Sequence, residues 1–163
     1  MKRIWIWALI AGALALTGIW PLESRDVAEL EPARVLLVRT EKGSVEVVCE
    51  SAAGSGRTLD EALTDMQNTA EGVLFLDTAE QILLHASAYE LLPQAAQSGY
   101  LRPAAKVYLV EGELPEAERA AEYLQTHSGQ ATLGRVRAAL AGAGGTVLPH
   151  LQNREGRLCL IEQ

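Results

Sequence analysis

The chain has 163 residues, of which 48% are hydrophobic and 21% charged, a composition that fits a globular domain and rules out a disordered or collagen-like segment. Lys2 and Arg3 precede an apolar N-terminal stretch, so residues 21–163 carry 12 of the 14 basic side chains against all 21 acidic ones, a balance of −9. That sign argues against nucleic acid as a partner, since phosphate binding rests on clustered Lys and Arg, and an aromatic content of 5% gives no basis for a base- or sugar-stacking surface.

Residues 4–20 carry no charge, with Lys2 and Arg3 before them and acidic residues after. The stretch reads as a membrane anchor or uncleaved signal over residues 1–20, with Trp5, Trp7 and Trp20 at the two interfaces. The basic end stays cytoplasmic, so the expected location is the cell membrane, single-pass, with the C-terminal domain outside the cytoplasm. Residues 21–32, with Glu23, Arg25, Asp26, Glu29 and Glu31 and ending in Pro32, read as a polar stem. An exported globular domain over residues 33–163 follows.

Within that domain Val35, Leu36, Leu37 and Val38, the turn Glu41-Lys42-Gly43-Ser44, and Val45, Val47 and Val48 predict a β-hairpin. Ser51 to Arg57 reads as a small-residue loop. Thr58 and Glu61 then form a capping box for a helix starting at Leu59, with Leu59, Ala62, Leu63 and Met66 on its buried stripe. Short apolar runs at Val73-Leu74-Phe75-Leu76 and Ile82-Leu83-Leu84 fit strands, while Ala79 to Tyr89 also fits a helix; a strand near Gln81 to His85 is the favoured reading. Residues 86–98 read as a helix broken near Pro93. Lys106 to Val110 predicts a strand, residues 116–126 and 132–140 predict helices, and Val147-Leu148-Pro149 and residues 157–162 predict short terminal strands. The sum is an α+β (or α/β) domain, a small mixed β-sheet packed with three to four helices and preceded by one N-terminal transmembrane helix.

No catalytic, cofactor-binding or metal-binding residue emerges from the motifs. Gly54-Ser55-Gly56-Arg57-Thr58 resembles the end of a phosphate-binding loop, but Ser51 stands where its first glycine belongs and Arg57 where its lysine does. His85, His127 and His150 lie too far apart in sequence for a two-histidine metal motif. Ser87 follows His85 without the glycine-flanked elbow of a hydrolase serine. Glu111, Glu113, Glu116 and Glu118 form an acidic cluster around Pro115 that complements a helix N-terminus and lacks the glycine-centred loop of a calcium site. Cys49 and Cys159 are expected either to pair, should the hairpin and the last strand be neighbours, or to remain as two buried thiols.

Several segments, read in order, resemble the N-terminal part of the spore germination Ger(x)C family, the membrane-anchored C subunits of nutrient germinant receptors. Leu16-Thr17-Gly18-Ile19-Trp20, then Arg25-Asp26-Val27-Ala28-Glu29-Leu30 and Val35 to Val38, are similar to the family's lipoprotein signal, acidic-leucine segment and first strand. Gly56-Arg57-Thr58-Leu59-Asp60-Glu61-Ala62-Leu63 looks like its glycine loop and capped helix. Leu101-Arg102-Pro103 before Val107-Tyr108-Leu109-Val110-Glu111-Gly112, and Thr132-Leu133 with Thr146-Val147-Leu148-Pro149, look like its later links. Ile19 stands where the family has its lipidated cysteine, so the apolar helix itself would hold the protein. The resemblance implies a shortened, non-catalytic accessory or scaffold protein without cofactor, partnered by the bilayer and by polytopic germinant-receptor subunits, in the spore inner membrane. An exported small-ligand or protein-binding domain of another cell-envelope system is the alternative.

Overall fold

The computed structural model describes residues 30–142, 144–154 and 156–161. The expected anchor at residues 1–20 and most of the stem lie outside them. No helix among the described residues is long and apolar enough to cross a membrane.

β1 (Leu30–Pro32), inside the segment read as a stem, leads into β2 (Val35–Glu41), which turns back into β3 (Ser44–Val48). The turn is Lys42-Gly43 with φ of 50° and 82°, the left-handed pair that matches the twist of a two-residue hairpin. β4 (Ala53–Gly56) then pairs antiparallel with β3, where the sequence suggests only a loop. α1 (Leu59–Thr69) follows, then β5 (Val73–Phe75), which pairs in parallel with β1. A 3-10 turn (Leu76–Thr78) leads to β6 (Gln81–His85).

The segment read as one broken helix is a 3-10 helix (Ala86–Leu91) joined to α2 (Leu92–Gln97). Pro93 explains the division. Lacking an N–H, it fits the first turn of α2 but not the interior of a continuous α-helix. β7 (Lys106–Gly112), α3 (Ala117–Thr126), α4 (Leu133–Leu140), β8 (His150–Arg154) and β9 (Arg157–Ile161) complete the order. Val147-Leu148-Pro149 is not a strand. The ladder begins at His150, paired with Leu109, immediately after a proline that has no N–H to contribute.

The main sheet has the order β4-β3-β2-β6-β7-β8-β9. Its centre, β2, β6, β7 and β8, is parallel, and β3, β4 and β9 are added antiparallel. Parallel strands need covered crossovers, and the helices supply them on both faces. On one face Leu36, Val38, Ile82, Leu84 and Val107 pack with Leu59, Leu63 and Met66 of α1, Ala96 of α2 and Leu133 and Val136 of α4. On the other, Val35, Leu37, Leu83, Tyr108, Val110 and Leu151 pack with Ala117, Ala120, Ala121 and Leu124 of α3. Burial on both sides is why β2 and β6 read as continuous apolar runs rather than as alternating ones.

Candidate functional site

In open sheets with parallel strands, ligands bind outside the carboxyl ends of those strands. Here those ends are tied together. Nε2 of His85, at the end of β6, lies 3.0 Å from the carbonyl oxygen of Gly112, at the end of β7. A carbonyl only accepts, so this contact fixes the Nε2–H tautomer. Nδ1 then accepts from the Ser87 N–H at 3.1 Å and faces the Ser87 Oγ at 2.7 Å. Ser87 Oγ in turn accepts the N–H of Thr40, near the end of β2, at 3.1 Å. His85 and Ser87, neighbours in sequence without a hydrolase elbow, are thus brought into contact, and their hydrogen bonds clamp three adjacent strand ends. Neither residue lines the larger depressions of the surface.

The glycine segment is explained by packing. α1 lies directly on β4, and a Cβ on Gly54 would come within 2.4 Å of the Ala62 carbonyl oxygen, one on Gly56 within 2.6 Å of the Ala62 nitrogen. The N–H groups a phosphate would need are already used. Ser55 donates to Asp65 Oδ2 at 2.8 Å and Arg57 to Glu61 Oε2 at 2.9 Å. Two carboxylates therefore stand where a phosphate would bring further negative charge. Thr58 caps α1 as its sequence requires, its side chain accepting the Glu61 N–H at 3.2 Å. Glu61 reaches back one residue further than in the usual capping box, to Arg57 rather than to Thr58.

The acidic cluster disperses. Glu111 pairs with His150, Oε1 to Nδ1 at 3.0 Å, and accepts from Gln152 at 3.4 Å. Glu116 is the residue before α3, and Glu118 lies in its first turn, where a carboxylate favours the positive end of the helix. His127 follows α3, stacked on Tyr123 with ring centroids 4.4 Å apart. Among the described residues no three His, Cys, Asp or Glu side chains are placed to hold a metal ion.

The two cysteines also separate, correcting both expectations for them. Cys49 follows β3 and is buried; Cys159 lies on β9 and is exposed. Five strand spacings of about 4.8 Å lie between their positions in the sheet, roughly 24 Å in all, far beyond disulfide reach.

A depression of about 650 Å³ lies beside α4 and is lined by Arg135, Gln130, Thr146 and Pro149 without a carboxylate, cysteine or histidine. Chemistry-bearing side chains gather instead at the β8–β9 end of the sheet. Strand alternation places His150, Gln152 and Arg154 on one face, and pairing brings Cys159 opposite Gln152 and Arg157 opposite Arg154. This corner escapes sequence reading because the motifs searched for are contiguous, whereas these residues alternate along two strands. The signal present was the polar, every-second-residue pattern on either side of Glu155-Gly156.

In comparisons with protein-family models, with curated proteins and with solved structures, none matches this chain.

Proposed function

We propose that the protein is a membrane-anchored accessory or scaffold protein that acts by contact, similar in role to a germinant-receptor C subunit and partnered by polytopic membrane subunits. The observation that carries this reading is the closure of the parallel strand ends by His85, Ser87, Thr40 and Gly112, at the place where a sheet of this kind would otherwise receive a small molecule. The ordered resemblance of segments between Leu16 and Pro149 supports the assignment to a germination system. The uncharged residues 4–20 support the anchor.

Fractionation tests the anchor. The full chain belongs in the membrane pellet and a chain starting at Ser24 in the supernatant; a native protein recovered soluble and shortened at its N-terminus overturns the anchor. Crosslinking in native membranes tests the role, with a polytopic germinant-receptor subunit as the expected adduct. Adducts confined to proteins of another envelope system would instead make the chain a component of that system.

A further inference from the structure

The two edges of the main sheet are treated differently by the chain. At β4, α1 engages outward backbone groups at three points: Thr69 Oγ1 donates to the Ala53 carbonyl at 2.9 Å, Asp65 accepts from Ser55, and Glu61 accepts from Arg57 just beyond the strand. Residues 61, 65 and 69 are spaced four apart, so one helix face lies along that edge.

At β9 the cover is partial: α3 reaches this edge through Tyr123 and Arg119, and among the described residues no side chain bonds the outward backbone groups of Leu158. The two-residue connection makes Arg154 and Arg157 a hydrogen-bonded pair, so by antiparallel alternation Leu158 and Leu160 turn their N–H and C=O groups away from β8. The Leu160 N–H confirms the direction, since it donates to the Tyr123 hydroxyl at 3.1 Å. Charge distinguishes this edge as well. Arg119, which donates to the Gly156 carbonyl, Arg154 and Arg157 gather at the hairpin tip, and none forms an ion pair among the described residues of a chain with net charge −7. On the face shared by Arg154, Arg157 and Cys159 lies an open depression of about 560 Å³; on the opposite face a second, of about 520 Å³, is bordered by Tyr123 and Leu158.

We infer that the β9 edge is a docking strip for an extended, acidic segment of a partner protein, added as an eighth strand. Backbone groups of Leu158 and Leu160 supply the hydrogen bonds, and the Tyr123 hydroxyl yields its place on Leu160 to the incoming carbonyl. Side chains of the added strand alternate between faces. Those on the Arg154 and Arg157 face are Asp or Glu, and those beside Leu158, Leu160 and Tyr123 are apolar, matching the side chains they would lie against. The inference names the contact surface of the scaffold proposed above and rests on that reading. Its test uses purified full-length chain and is independent of membrane retention and of receptor crosslinking.

The probe is a fluorescein-labelled heptapeptide of alternating Glu and Val, measured by anisotropy against the full chain in a neutral detergent. Saturable binding that weakens with salt is expected, together with loss on N-methylation of alternate peptide nitrogens. The Arg154→Glu/Arg157→Glu double variant should weaken binding by about tenfold or more, while a Lys/Val peptide gains affinity for that variant. Unchanged circular dichroism and thermal midpoint show that the variant is folded. Equal binding of the Glu/Val peptide to both proteins overturns the inference, as does indifference to N-methylation. A Cys159-linked dimer, formed with oxidised glutathione and undiminished by saturating peptide, would assign the edge to a second copy instead.

Discussion

A methyl group on Gly54 would sit 2.3 Å from the Met66 nitrogen and 2.4 Å from the Ala62 carbonyl oxygen, and both belong to helix backbone that cannot rotate away. Gly54→Ala is therefore expected to lower stability by about 2–3 kcal/mol, read as a lower urea midpoint. Gly145→Ala is the control: nothing lies within 4 Å of its Cβ position, and its midpoint should hardly move. A second change isolates the cap. Thr58→Ala removes the acceptor of the Glu61 N–H and should cost about 1 kcal/mol; an unchanged midpoint would remove Thr58 from the account. The cap was legible because Thr58 and Glu61 are close in sequence and their roles are local. The purpose of Gly54 was not, because it depends on which helix lies over the strand, a fact of tertiary packing that no neighbouring residue announces.

At the scale of elements, α1 does more than fill the core. Leu59, Ala62, Leu63 and Met66 bury one stripe, while Glu61, Asp65 and Thr69 close the edge of β4. Asp65→Ala frees the Ser55 N–H, which should then exchange with solvent deuterium faster than in the parent protein. The loss of this charged, exposed bond should cost about 1 kcal/mol, and the opened edge should raise the aggregation rate. Unaltered exchange at Ser55 would show that the edge is sealed by other means. The β2–β3 hairpin, α1 and β7 were readable because an apolar period, a turn or a cap marks each of them, whereas β6 was the favoured of two readings, strand and helix. β4 was not, since Ala53-Gly54-Ser55-Gly56 has little intrinsic preference for a strand and is held as one by β3 beside it and α1 above it. The break expected near Pro93 within residues 86–98 is present, and the part before it is a 3-10 rather than an α-helix.

For the whole molecule, strand order decides what two distant cysteines can do. A sequence places Cys49 and Cys159 only by their numbers, and the last strand could have closed beside the hairpin or at the far edge. Three parallel additions, β6, β7 and β8, carry the chain away from β2 before β9 turns back, so the cysteines finish on opposite sides of the sheet centre. The same progression leaves β9 as an edge and creates the corner of Arg154, Arg157 and Cys159, which explains why a site there is a property of topology rather than of any contiguous motif. Thiol titration measures this arrangement. In the reduced, folded chain an aromatic disulfide reagent should consume one thiol rapidly, that of exposed Cys159, while Cys49, 4% accessible and packed in the helix-covered core, reacts only as fast as the domain opens. Denaturant should raise the count to two. Cys159→Ser should abolish the fast phase and leave the slow one, and Cys49→Ala should do the reverse. Two thiols of equal rate in the folded chain would contradict the burial of Cys49, and a compact disulfide-closed monomer after oxidation would contradict the strand order itself, because no local rearrangement brings two residues together across five strand spacings.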